Sequence, residues 1–297
     1  MEAVPEDTNH PPPTLPELAL VSDLPVPYLR LKASSGWQAL DLRQLWHYRD
    51  LLLVLAQRDV MLRYRQTALG VVWVLLQPLM AAGIFAFVFG KVAKLPSAGL
   101  PYFVFSYAGL LGWNAFNSTL GKVSGIMVGN AGLISKVYFP RLVLPLATVF
   151  STLIDFGVAL VLMAVLMVMY HIAPHAGLLL LPVWLLLLLM LAMGIGLVAT
   201  AMAVSYRDVA YVLPVLIPFL MYASPVAYDS SAVPEKFRII YYLNPVSGLL
   251  DGFRWSLLHT AGPSLAAVVY STLFAVAMLM GGAYTFRRME RRFADVI

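Results

Sequence analysis

The sequence predicts an all-α integral membrane protein with six transmembrane helices, and three observations carry that prediction. Hydrophobic residues make up 61% of the chain and charged residues only 12%, against about 25% charged in a soluble domain. Six apolar runs divide the chain, each about 20 residues or longer, the length a helix needs to cross a hydrocarbon core about 30 Å thick. Lysines and arginines flank these runs instead of forming the single basic face that nucleic-acid binding requires. The net charge of +5 therefore points to membrane topology. Cysteine is absent, which excludes disulfides, thiolate metal sites and thiol nucleophiles.

Residues 1–35 are rich in proline and acids and hold no apolar core of signal-peptide length; they predict a disordered cytoplasmic tail. Residues 36–68 follow as an amphipathic helix. Leu42, Leu45, Trp46, Leu52, Leu53, Ala56 and Val60 recur at roughly helical spacing against Arg43, Arg49, Asp50, Gln57 and Arg58. Such a helix either lies along the membrane surface or packs on a soluble partner, and direct continuity into a span favours the interface. The six-span domain covers 69–286, with spans at Leu69–Gly90, Tyr102–Gly121, Leu142–Met169, Leu178–Val204, Val209–Tyr228 and Pro263–Phe286. Residues 287–297 form a basic cytoplasmic tail. With both termini cytoplasmic, fifteen of the 20 lysines and arginines lie inside, the bias that sets orientation.

Within "RYRQTALGVVWVLLQPLM" the Gln77-Pro78 pair interrupts the first span. Proline there removes a backbone hydrogen bond and bends the helix, so the pair marks either a structural kink or part of a substrate path. Arg58, Arg63 and Arg65 upstream suit either snorkelling anchors or contact with a lipid phosphate head group. Between spans two and three, Gly121, Gly125 and Gly129 repeat at a spacing that lets helix backbones approach closely. Asn130 then caps a short helix through Leu133, Ile134 and Val137 that Pro140 stops. It reads equally as a docking helix or a connecting turn. Asp155 is the sole acid within the six runs, a functional candidate by default; without a second acid or buried lysine it reads as a structural hydrogen-bonding residue. Pro214, Pro218 and Pro225 bend span five, whose Phe219, Tyr222 and Tyr228 could stack on sugar rings or simply sit at the interface. The stretch 229–262 holds two modest apolar segments hinged at Asn244-Pro245, read as short re-entrant helices. The chain contains no phosphate-binding loop and no histidines at metal-ligand spacing, so neither ATP nor a metal binds here by a recognisable motif.

Five segments then converge on one pattern: "YRDLLLVLAQRDVMLRYRQTALGVVWVLLQPL", "LISKVYFPRLVLPLA", "YRDV", "SPVAY" and "YYLNPVSGLLDGFRW". From about Val26 onward the chain resembles the ABC-2 type transporter permeases that export polysaccharides such as lipid-linked O antigen, capsule or teichoic acid. The resemblance implies a homodimer of six-span subunits in the bacterial inner membrane, completed by two copies of a separate ATPase that holds ATP and magnesium. It implies a coupling role for Asn130, Ser135, Lys136, Phe139 and Arg141, and external gate elements around Tyr241, Asn244, Pro245 and Arg254. It places Trp73, Phe219, Tyr222 and Tyr228 along a channel between protomers, and the arginine cluster where an undecaprenyl-diphosphate-linked glycan arrives. The rival readings are an ABC-2 exporter of a drug or lipid, a membrane glycosyltransferase or polymerase, and a proton-driven flippase. The second wants converging catalytic groups and the third wants internal repeats with paired ionisable residues; the sequence offers neither.

Overall fold

The computed structural model describes residues 46–64, 72–206 and 208–296, and every regular element among them is helical. The expected tail at 1–35, the start of the 36–68 helix, Arg65 and Arg207 lie outside the described residues, as does the side chain of Arg63. Eleven α-helices follow in order. They are α1 Arg49–Tyr64, α2 Val72–Phe85, α3 Tyr102–Ser124, α4 Ile126–Gly129, α5 Ala131–Ile134, α6 Val143–Met169, α7 Leu181–Ser205, α8 Val209–Tyr222, α9 Arg238–Tyr242, α10 Pro245–Leu258 and α11 Leu265–Val296. A π-helical stretch, Ala86–Val92, extends α2, and a 3-10 turn, Ala176–Leu180, leads into α7.

Among the described residues, four helical stretches are long and apolar enough to cross a membrane: Val72–Val92, Val143–Met169, Ala176–Ser205 and Leu265–Glu290. The other two expected spans differ for distinct reasons. Helix α3 has 23 residues, about 34 Å of rise, but it carries Ser106, Asn114, Asn117, Ser118 and Thr119. It tolerates them because it is the central helix, packed by α2, α6, α7 and α10, and its Ser106 and Thr119 are fully enclosed. Helix α8 has only 14 residues, about 21 Å of rise, because the chain leaves the helix at Ala223 and turns through Ser224–Tyr228.

The tightest helix contact joins α7 and α11. A Cβ on Gly282 would fall 2.3 Å from the Gly194 carbonyl oxygen, and one on Gly194 would fall 2.5 Å from the Met278 backbone. Between membrane helices, where lipid is as apolar as leucine, such close approach is a main source of association. The Gly121, Gly125 and Gly129 repeat does not play this part: a Cβ at Gly121 or Gly129 would meet open space. Gly125 instead ends α3, and Asn130 follows Gly129 at the end of α4. The tail expected at 287–297 is likewise not separate, since α11 runs unbroken to Val296.

Helix α1 buries Leu55 and Ala56 in a cluster with Phe139, Leu142, Val143, Ala283 and Phe286, while Leu53, Val54, Met61 and Leu62 remain exposed. One apolar face thus packs on protein and a second is left outward, which a membrane surface can solvate. This end of the bundle holds the Arg141 to Glu290 contact. At the opposite end the 170–177 linker rests on α10, with the His175 ring 5.6 Å from that of Trp255 and 4.5 Å from that of His259.

Candidate functional site

The richest polar constellation sits at the α10 end, and it joins two segments that are separate in sequence. Asn244 opens α10: its side-chain oxygen accepts from the Val246 amide at 3.1 Å, with Pro245 at the first helical position, where a missing N–H costs nothing. The same side chain donates to Ser224 Oγ at 2.8 Å. Ten residues on, Arg254 is 2% exposed. Its guanidinium donates to the carbonyl oxygens of Pro225, of Val226 at 3.0 Å and of Tyr228 at 3.3 Å, and it lies 4.1 Å over the Phe105 ring. The irregular Ser224–Tyr228 stretch, whose carbonyls have no helix to satisfy them, is therefore held by one buried fork of donors. Tyr102 adds a hydrogen bond to the Ala227 carbonyl.

Gly109 of α3 makes room for this clasp. A Cβ there would lie 2.4 Å from the Val226 oxygen and 2.5 Å from an Arg254 nitrogen. The Gly109→Ala protein is expected to melt lower by about 2 kcal/mol, an overpacking cost, and to lose function along with stability. Differential scanning fluorimetry of the purified protein checks it; unchanged melting would show that the clasp moves aside freely.

Behind the clasp, Asp251 is 7% exposed. Ser230 Oγ lies 2.6 and 2.5 Å from its two oxygens, and Tyr242 donates to it at 3.3 Å. Burial pushes the Asp251 carboxyl up to about 6, against the opposing pull of the Ser230 hydrogen bond and the Arg254 charge. Tyr241 stands 3.2 Å from Ser230 Oγ, and burial, then the Asp251 charge, raises its phenol. Tyr228 joins this group, its ring 6.4 Å from Tyr241. Of the residues expected in the gate, Tyr241, Asn244, Pro245 and Arg254 all meet here. Gly109, Ser230 and Asp251 were missed, though an Asp and an Arg three apart in an apolar helix were visible as a pair.

The residues expected to couple divide in two. Ser135 and Lys136 are exposed, beside exposed Val137 and Tyr138. Phe139 is buried in the α1–α6 cluster, and Arg141 donates to the Glu290 carbonyl at 2.5 Å. The helix expected from Asn130 through Val137 is the four-residue α5, which ends at Ile134, with the equally short α4 before Asn130. Asn130 sits at the start of α5 but makes no side-chain cap; it donates to the Ile126 carbonyl at 3.0 Å and accepts from Arg58 at 2.9 Å. Arg58 also pairs with Asp59 at 3.0 Å. The guanidinium expected to meet lipid thus ties α1 to the α4–α5 turn.

Asp155 has the partner that the sequence did not reveal. Lys122, at the end of α3, approaches it at 3.4 Å and donates to Ser151 and Thr152 at 2.8 and 3.2 Å. Among the expected channel residues, Trp73 is 51%, Phe219 68% and Tyr222 58% exposed. Gln77 lies one turn from Trp73 and is also exposed, so the two share a face. Phe219 continues the exposed face of Tyr211 and Val215.

The amino-acid sequence aligns with those of known proteins. The chain is 28% identical over 257 residues to the O-antigen export system permease protein RfbA of Myxococcus xanthus, covering 86% of this chain and 98% of that one. It is 26% identical over 250 residues to the protein of the same description from Klebsiella pneumoniae, covering 84% and 95%. To the polysialic acid transport protein KpsM of Escherichia coli it is 24% identical over 242 residues, covering 78% and 91%. A sequence profile described as ABC-2 type transporter matches residues 50–258, from α1 to the last residue of α10. That match contains α4 and α5 and the whole Arg254 clasp, and the chain belongs to the ABC-2 type transporter family.

Proposed function

We propose that this chain is the membrane subunit of an ATP-driven exporter that carries a lipid-linked polysaccharide, O antigen or a similar glycan, across the bacterial inner membrane. The observation that carries the reading is its alignment with O-antigen export permeases over nearly their whole length. In this reading the chain spans the membrane six times with both termini cytoplasmic, α3 serving as the polar, protein-wrapped second span and α8 as the short fifth. Helices α9 and α10 are re-entrant, and the clasp of Arg254 on Ser224–Tyr228 forms the external gate. The protein works as a homodimer, with the exposed faces of Trp73 and Gln77 on α2 and of Phe219 and Tyr222 on α8 lining the passage between protomers. Aromatic faces suit sugar rings, which present apolar C–H surfaces.

Two copies of a separate ATPase supply the energy, with ATP and magnesium bound there. They dock on the exposed Ser135–Tyr138 stretch. Movement passes inward through Asn130 to Arg58 on α1 and through Arg141 to Glu290 on α11, contacts that bind the turn to two helices at once. Arg63 and Arg65 belong with Arg58 to the basic approach for the diphosphate-linked substrate. A drug or lipid exporter is not favoured, because the relatives that align are O-antigen export permeases and a polysialic acid transport protein. In a strain lacking the protein, completed undecaprenyl-linked polymer is expected to accumulate on the cytoplasmic side, read by fractionation and glycan blotting. Polymer synthesis that stops altogether would replace export with a biosynthetic role.

A further inference from the structure

A cavity of about 660 Å³ lies beside the gate helices, between the 229–231 loop, α9, α10 and the first turns of α11. It is separate from the exposed faces of α2 and α8. Its charged groups balance, with Asp229 and Asp251 against Arg238 and Arg254, so it is built neither for a phosphate nor for a metal cation. Asp251 offers carboxylate oxygens from a buried position. Arg238 lines the same cavity with its guanidinium half exposed, 3.7 Å from the Glu235 carboxylate. The remaining wall mixes the hydroxyls of Ser231, Thr260 and Ser264 with Ile239, Leu243, Tyr242 and Tyr270, the last fixed by donating to the Leu243 carbonyl at 2.9 Å.

We propose that this cavity binds a neutral glycosyl unit, as a saccharide subsite on the outer side of the gate. A carboxylate that accepts from adjacent hydroxyls, a guanidinium N–H that donates to one, and tyrosine rings against C–H faces are the groups such a ligand needs. The volume falls in the range of about 300–1,000 Å³ typical of small-ligand pockets. A phosphorylated head group would leave two carboxylates facing its charge, and a purely apolar chain would desolvate Asp229 and Arg238 with no new hydrogen bond in return. The role assigned to the subsite, holding the emerging polymer beside the gate, rests on the export reading; saccharide binding itself does not.

The test uses the full-length protein in lipid nanodiscs prepared without sugar-headed detergent. The probes are millimolar methyl glycosides of glucose, galactose, mannose and rhamnose, read by saturation-transfer NMR. Transfer to at least one of them is expected for the wild type, weakened about tenfold or more in Tyr270→Ala. It should be lost in Ala266→Trp and in Ser264→Trp, two exposed lining positions where a large ring fills the space. Two blocking variants keep the result readable if one fails to fold, as judged by its melting midpoint. Absence of transfer to every glycoside overturns the proposal, and so does transfer that persists unchanged in a folded blocking variant. Equal displacement by millimolar inorganic phosphate would also sink it, because the site would then select charge. Either failure leaves polymer accumulation in the deletion strain untouched, so the subsite and the export reading fall separately.

Discussion

Arg254→Ala is expected to abolish surface polysaccharide and to lower the protein's stability by about 3 kcal/mol or more. The reasoning starts from acceptors. The carbonyl oxygens of Pro225, Val226 and Tyr228 converge on one guanidinium, and the site is sealed by Phe105 and the bare backbone of Gly109. Removing the donor orphans three carbonyls in a place water reaches poorly, and each buried unsatisfied group costs about 1–3 kcal/mol. Arg254→Lys is expected to fare nearly as badly: an ammonium carries its N–H groups on a single atom and cannot span all three carbonyls while lying flat on an aromatic face. Lys236→Ala is the control, a neighbouring cation outside the clasp whose contact is with the exposed Phe237 ring. Thermal melting and a surface-glycan immunoblot read both effects. Wild-type melting and export in Arg254→Lys would show that charge alone matters and that the fork geometry does not.

The clasp also marks where sequence reasoning reached and where it stopped. Both of its halves, "SPVAY" and "YYLNPVSGLLDGFRW", stand out in the chain, and apolar length located every long helix. Nothing in a linear pattern says that residue 254 reaches back to 226, because that contact depends on how α10 packs against α3. The resemblance puts Arg254 among the gate elements but cannot say what it holds. Gly109 is invisible for the same reason: its importance lies in what stands opposite it. The Gly121 repeat misleads in the reverse direction, with the right spacing and nothing across from it. Helix α3 shows the limit of hydropathy, since a span wrapped by other spans can carry polar residues that a lipid-facing one cannot.

Asp155→Ala is expected to cost about 3 kcal/mol and to impair export, whereas Lys122→Met combined with Asp155→Leu is expected to recover most of both. The pair is 3.4 Å apart with side chains 27% and 13% exposed, so it is partly screened and sits at the lower end of the cost of breaking a buried ion pair. Removing the carboxylate leaves the Lys122 ammonium with Ser151 and Thr152 as hydroxyl partners but without that opposing charge. Removing both charges with side chains of similar volume takes away the desolvation cost along with the attraction, and such replacements are often neutral. The double variant separates two roles that single variants confuse. A pair that only fastens α3 to α6 is dispensable once both members are apolar, and melting and export return together. If the charges themselves move or are titrated during transport, melting returns while export stays lost. That second outcome would make Asp155 a working ionisable group and would reopen the proton-driven reading that its isolation in the sequence had argued against.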